Sequence, residues 1–168
     1  MYTMRSASRA LPAQVAPLAL ALAACVGVPL TGHAQSVSVP AGTTLTVDPG
    51  SPYEGRDFSV RGTLNLNGVN VGTVGAREGP GAVVNASDTV FTSNERLGFS
   101  FTNAEGNITR STIVNEDANG VGLALAGNLS VSSAPLSRVQ ISDSSVSAGD
   151  AGGQVAAGGT VIARGTSF

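Results

Sequence analysis

A short repeat of strand-like segments constrains this chain more than any other feature. Four segments end on the same polar, small, apolar step: Ser87-Asp88-Thr89-Val90, Arg110-Ser111-Thr112-Ile113, Asp143-Ser144-Ser145-Val146 and Gly165-Thr166-Ser167-Phe168. Counted from Val90, the steps to Ile113, Val146 and Phe168 are 23, 33 and 22 residues. Glycine-led segments starting at Gly98, Gly120 and Gly153 precede the last three, lying 15, 26 and 15 residues before the end of each unit. The middle unit is 11 residues longer by both measures, so one insertion, placed within Leu129 to Arg138, accounts for both. A period near 22 is too short for a two-helix repeat and matches one turn of a β-solenoid.

The local pattern agrees. No window after residue 34 sustains apolar residues at i, i+3, i+4 and i+7, and β-branched residues mix with Gly, Ser, Asn and Asp. Strict alternation over Ser36–Val39, Thr44–Val47, Thr63–Asn67 and Gly68–Val71 predicts short strands. Turn clusters at Asp48–Pro52 and Glu78–Gly81 separate them. Stacked turns would line Val, Leu and Ile into inward columns and leave Ser, Thr and Asn outside. Such turns gain stability only from their neighbours, so the architecture exists only as a stack. The last unit ends at Phe168 without a capping segment, which gives the expectation of an incomplete solenoid.

Residues 1–34 read as a cleavable secretory signal. Arg5 and Arg9 form a positive start, an apolar run covers Val15 to Leu30, and Gly32 and Ala34 present small residues to a cut before Gln35. The strongest apolar core, Leu18 to Val26, is too short to span a bilayer, which takes about 20 residues. Leu22-Ala23-Ala24-Cys25 offers an alternative, a lipobox that would anchor the protein through Cys25. The cut after Ala34 is the favoured one.

Composition then excludes several kinds of chemistry. The only Cys, the only His and both Met lie in the signal, and the chain lacks Lys and Trp. Residues 35–168 hold seven Arg against eleven acids, a net charge of −4, with no basic stripe to neutralise phosphates. Without Cys or His in that part, no Ser-His-Asp or Cys-His set can form, and zinc lacks its usual ligands. Asp48, Asp57, Asp117 and Asp143 fall in loops, but no calcium-binding run surrounds them. Gly72–Gly75 lacks the Lys-Ser/Thr of a P-loop. The expectation is therefore no catalytic, cofactor-binding or metal-binding residue, no cofactor and no nucleic-acid partner.

Carboxylate chemistry stays open. The repeat stacks Asp88 near Arg110, and Arg110 near Asp143, in neighbouring turns. Such pairs serve either as exposed cross-turn ion pairs, the expected case, or as the working groups of a secreted polysaccharide-acting β-helix enzyme. The second case requires them to converge in one groove.

The start Val37–Val47 (VSVPAGTTLTV), following a signal, and turns such as Gly152–Val161 (GGQVAAGGTV) resemble the N-terminal passenger region of pertactin-like autotransporters. The resemblance spans most of residues 1–168 in composition and rhythm. It implies an all-β domain over 35–168, a right-handed parallel β-helix displayed as an adhesin at the outer membrane of a Gram-negative bacterium. Its partners would be host or bacterial surface ligands. The family also carries a C-terminal β-barrel translocator, of which nothing is present here, and no Arg-Gly-Asp triplet occurs.

Overall fold

A computed structural model of the protein describes residues 36–77, 81–127 and 136–168, all within one compact unit. The proposed signal segment, with Cys25 and the cut after Ala34, lies outside the described residues. The described chain is all-β, a parallel β-solenoid of about five turns. Each full turn lays down three short strands in order, and like strands of successive turns pair side by side. Sheet A stacks β1 (Val37–Val39), β3 (Phe58–Val60), β6 (Val74–Arg77), β9 (Leu97–Thr102), β12 (Val121–Ala126) and β15 (Ala151–Val155). Sheet B stacks β2 (Thr44–Val47), β4 (Thr63–Asn67), β7 (Val83–Ser87), β10 (Glu105–Thr109), β13 (Ser137–Ser142) and β16 (Gly159–Arg164). Sheet C stacks β5 (Asn70–Val71), β8 (Val90–Ser93), β11 (Thr112–Asn115) and β14 (Ser145–Ala148).

Alternation in the strands builds the core directly, because successive side chains point to opposite faces. Val39, Val60, Ala76, Phe101 and Leu125 form one inward column of sheet A. Val47, Leu66, Ala86, Ile108 and Ile141 form the facing column of sheet B, and all ten side chains are buried. Phe91 of sheet C stacks on Phe99 at 4.5 Å between ring centres, and Phe99 meets Phe101 at 4.7 Å. Three aromatic rings thus fill the middle of the stack.

The corner between sheets B and C explains much of the small, polar part of the repeat. Gly68, Asp88, Arg110, Asp143 and Gly165 occupy equivalent places there, all at positive φ. Glycine adopts this conformation without strain, and Asp tolerates it better than most residues. The next position carries a hydroxyl ladder: the Ser111 hydroxyl accepts from the Thr89 N–H, and the Ser144 hydroxyl accepts from the Ser111 N–H. Each of these hydroxyls, with Thr89, donates to the carbonyl two residues earlier. Among the described residues, no buried side-chain polar atom lacks a hydrogen-bond partner.

The structure corrects the repeat register in detail. Val90 pairs with Thr112, and it is Phe91 that aligns with Ile113 and then Val146. The true step there is 22 residues, one fewer than the sequence alignment assigns. A slip of one residue exchanges the two faces of a strand: Val90 is 36% exposed and Phe91 is 2% exposed. The aligned glycines are Gly98, Gly122 and Gly152, as the flanking pairs fix, rather than Gly98, Gly120 and Gly153. The added length of the following turn divides in two. Between Thr102 and Glu105 the chain takes three steps, whereas between their partners Ala126 and Arg138 it takes twelve. Two further residues enter between Asn115 and Val121, relative to Ser93 and Leu97. Gly68, expected within a strand, turns the corner instead.

Candidate functional site

Three outward features bring polar groups together. At the corner, the Arg110 guanidinium donates to Asp88 from Nε at 2.8 Å and from Nη2 at 2.7 Å, one bond to each carboxylate oxygen. The two side chains remain 58% and 55% exposed. Asp143 follows at the same corner, its charge adding a smaller attraction on Arg110. The three residues singled out from the sequence therefore share one edge of the solenoid, where Asp88 and Arg110 neutralise each other as an exposed cross-turn pair.

The Arg110 hydrogen bond holds the Asp88 carboxyl below its ordinary pKa. A folded-state pKa below the unfolded one contributes stability that is present above the unfolded value. It is lost as pH falls through the folded one. Unfolding curves of the parent and of Asp88→Asn should therefore differ slightly at pH 6, and the difference should fade as pH falls below the ordinary carboxyl value of 3.8. The gap should shrink in high salt, because both groups are well solvated. A gap that stays unchanged as the Asp88 carboxyl is protonated would show that the ion pair is not its cause.

Sheet A carries a groove of about 240 Å³ on its outer face, lined by Asp57, Arg77, Glu95 and Leu97 around a floor of Ser59, Gly75 and Ser100. Small outward residues make the groove: Ser59, Gly75 and Ser100 are register partners in three successive turns. A hydrogen-bond chain fixes its rim. The Thr73 N–H donates to Asp57 Oδ1 at 2.7 Å, the Thr73 and Ser93 hydroxyls bond at 2.8 Å, and Ser93 Oγ accepts from the Glu95 N–H at 3.0 Å. Two carboxylates and one guanidinium thus line a single concavity. No repeat in the chain points to it, because the register steps from Phe58 to Val74 and from Val74 to Phe99 are 16 and 25 residues. No constant period stacks Asp57, Arg77 and Glu95.

Sheet B presents the third feature, an amide ladder. Asn85 donates to the Asn65 carbonyl oxygen and Asn107 to that of Asn85, both at 2.9 Å. Asn67 donates to Asp48 at 2.8 Å beside it. The ladder follows from register alone, since Asn65, Asn85 and Asn107 are outward partners in consecutive strands. Asn85→Ala removes both links and should cost about 1 kcal/mol by urea unfolding. An unchanged midpoint would mean that water replaces the ladder without loss. Where the ladder ends, a trough of about 270 Å³ opens between Asn107, Thr109, Gln140, Ser142, Ile162 and Arg164.

Among the described residues no three His, Cys, Asp or Glu side chains gather as metal ligands, and no helix is long and apolar enough to cross a membrane. Comparison with known protein families, with characterised proteins and with solved structures finds no match to this chain.

Proposed function

We propose that the chain is an exported structural and adhesion-type passenger segment, presented at the surface of a Gram-negative cell by a translocator outside this sequence, with no substrate turned over. The observation that carries the reading is the stacked solenoid itself. Its interior is continuous apolar packing, and its sheet B exterior is a self-bonded amide ladder. Such a stack projects a stiff, regular polar surface, which suits contact with other surfaces. Deleting the coding region from its host should reduce attachment to surfaces or cells, and wild-type attachment would defeat the reading. The intact mass of the native protein from the cell envelope tests the export step. A chain starting at Gln35 supports signal cleavage, acyl mass on Cys25 makes it an anchored lipoprotein, and peptides running past Phe168 place it within a larger passenger.

The sheet A groove favours one second reading, a polysaccharide-acting enzyme that uses Asp57 and Glu95 with Arg77. Paired carboxylates are the working groups of most glycoside hydrolases. Release of reducing ends from a soluble polysaccharide, abolished by Asp57→Asn, would establish it; no release from a broad set of polysaccharides would remove it.

A further inference from the structure

The outward face of sheet B has two columns of unequal height running along the stack. One carries Asn65, Asn85, Asn107 and Gln140, long amides in register from strand to strand. The other begins at Asn67, carries the short hydroxyls Ser87, Thr109 and Ser142 over the next three strands, and ends at Arg164. The difference in side-chain length leaves a trough between them, with the strands at Ile108 and Ile141 as its floor and the half-buried Ile162, register partner of Gln140, as an apolar lining group in the last strand. We propose that this trough binds an extended, hydroxyl-rich polysaccharide laid along the stacking axis. The proposal rests on the adhesion-type reading and names the class of ligand.

Three properties of the trough select that ligand. Its polar groups are amides and hydroxyls, which both donate and accept, as a row of vicinal sugar hydroxyls requires. They repeat at the strand spacing of about 4.8 Å, comparable to the rise of one sugar in an extended glycan, so successive turns meet successive sugars. Asn107, where the trough meets the ladder, is also held in place beforehand by its bond to the Asn85 side-chain oxygen, which lowers the ordering cost of binding there. Among the described residues the mutual bonding ends at Asn107, and the Gln140 amide, next in the column, is left to bond outward. A nucleic acid would instead need several cations. Arg164 supplies one cation at the end of the trough, placed to meet the carboxylate of a uronic acid.

Titration of the full processed chain with two probes tests this, cellohexaose for neutral glycans and hexagalacturonate for acidic ones, followed by calorimetry or NMR shifts. At least one should bind, in the millimolar range expected of a shallow site that gains from repetition. Asn107→Ala combined with Gln140→Ala should weaken binding about tenfold, while Thr92→Ala with Ser147→Ala on sheet C should leave it unchanged. Arg164→Gln should weaken only the acidic probe; a neutral-only ligand is shown if the acidic probe fails and cellohexaose binds. Binding of neither probe overturns the proposal, and so does equal loss in the sheet B and sheet C variants. Circular dichroism of each variant separates lost binding from lost folding. The two readings fail separately: attachment lost on deletion with no glycan binding removes only the ligand class, whereas attachment unchanged on deletion removes the adhesion reading.

Discussion

Phe99→Ala is expected to lower the unfolding free energy by about 3–5 kcal/mol. The ring is completely buried and touches aromatic neighbours on two sides, Phe91 from sheet C and Phe101 from its own strand. Truncation removes the transfer energy of the ring and opens a cavity that the rigid ladders around it cannot close. It also removes two ring contacts, each worth about 0.5–1.5 kcal/mol beyond burial. A domain of this size has about 5–15 kcal/mol in total, so the variant approaches complete unfolding. Phe99→Leu should retain much more of the stability, and Val155→Ala, at a side chain 52% exposed, should change little. Urea unfolding followed by far-ultraviolet circular dichroism measures all three. A loss below 1 kcal/mol in Phe99→Ala would mean that the aromatic stack is not the centre of the core.

Gly106→Val should destabilise as well, by about 1–3 kcal/mol or more, although pattern alone suggests the opposite. In sheet B the inward column runs Leu45, Leu64, Val84, Gly106, Val139, Val161, with glycine as its one gap. The gap is occupied. A Cβ on Gly106 would lie 2.7 Å from Cζ of Phe101 and 3.1 Å from Cγ2 of Val139. Phe101 is itself buried against Phe99 and cannot swing clear, so the added side chain overpacks the site. The two positions should therefore couple. Phe101→Leu combined with Gly106→Ala should be more stable than the sum of the single effects, by about 0.5–3 kcal/mol. Additive effects would show that Phe101 does not fill the place of the missing side chain.

These two sites also mark the limit of what local pattern carries. The strands at Thr44–Val47 and Thr63–Asn67 stand where alternation puts them, because which face a side chain takes depends only on its parity along the strand. The corner residues Asp88, Asp143 and Gly165 are legible in kind, since positive φ favours Gly and Asp there, whereas Gly68 reads from alternation as part of a strand. Arg110 at the same corner is a residue that no local rule selects.

Register was a different matter. Val90 and Phe91 are both apolar, so sequence alone could align either with Ile113; burial of Phe91 beside Phe99 decides between them. Gly120 and Gly122 stand in the same relation. Gly122 takes the strand position, and Gly120 closes against the Asn115 side chain. Of the outward features, only the Asp88–Arg110 pair was readable, because it lies within a regular 22-residue step. The sheet A groove depends on turns of unequal length, and the sheet B trough on the heights of side chains set beside each other.

Residue order is enough to specify the class of structure: short alternating strands, polar corners and a period that only stacked turns can satisfy. It also set the chemical inventory, in which Asp, Glu, Arg, Asn and hydroxyls do whatever polar work the solenoid performs. Tertiary structure alone decided which residues meet. Alternation is a property of adjacent residues, whereas pairing between turns joins residues 16 to 33 positions apart, and core packing and corner geometry choose among nearly equivalent alignments.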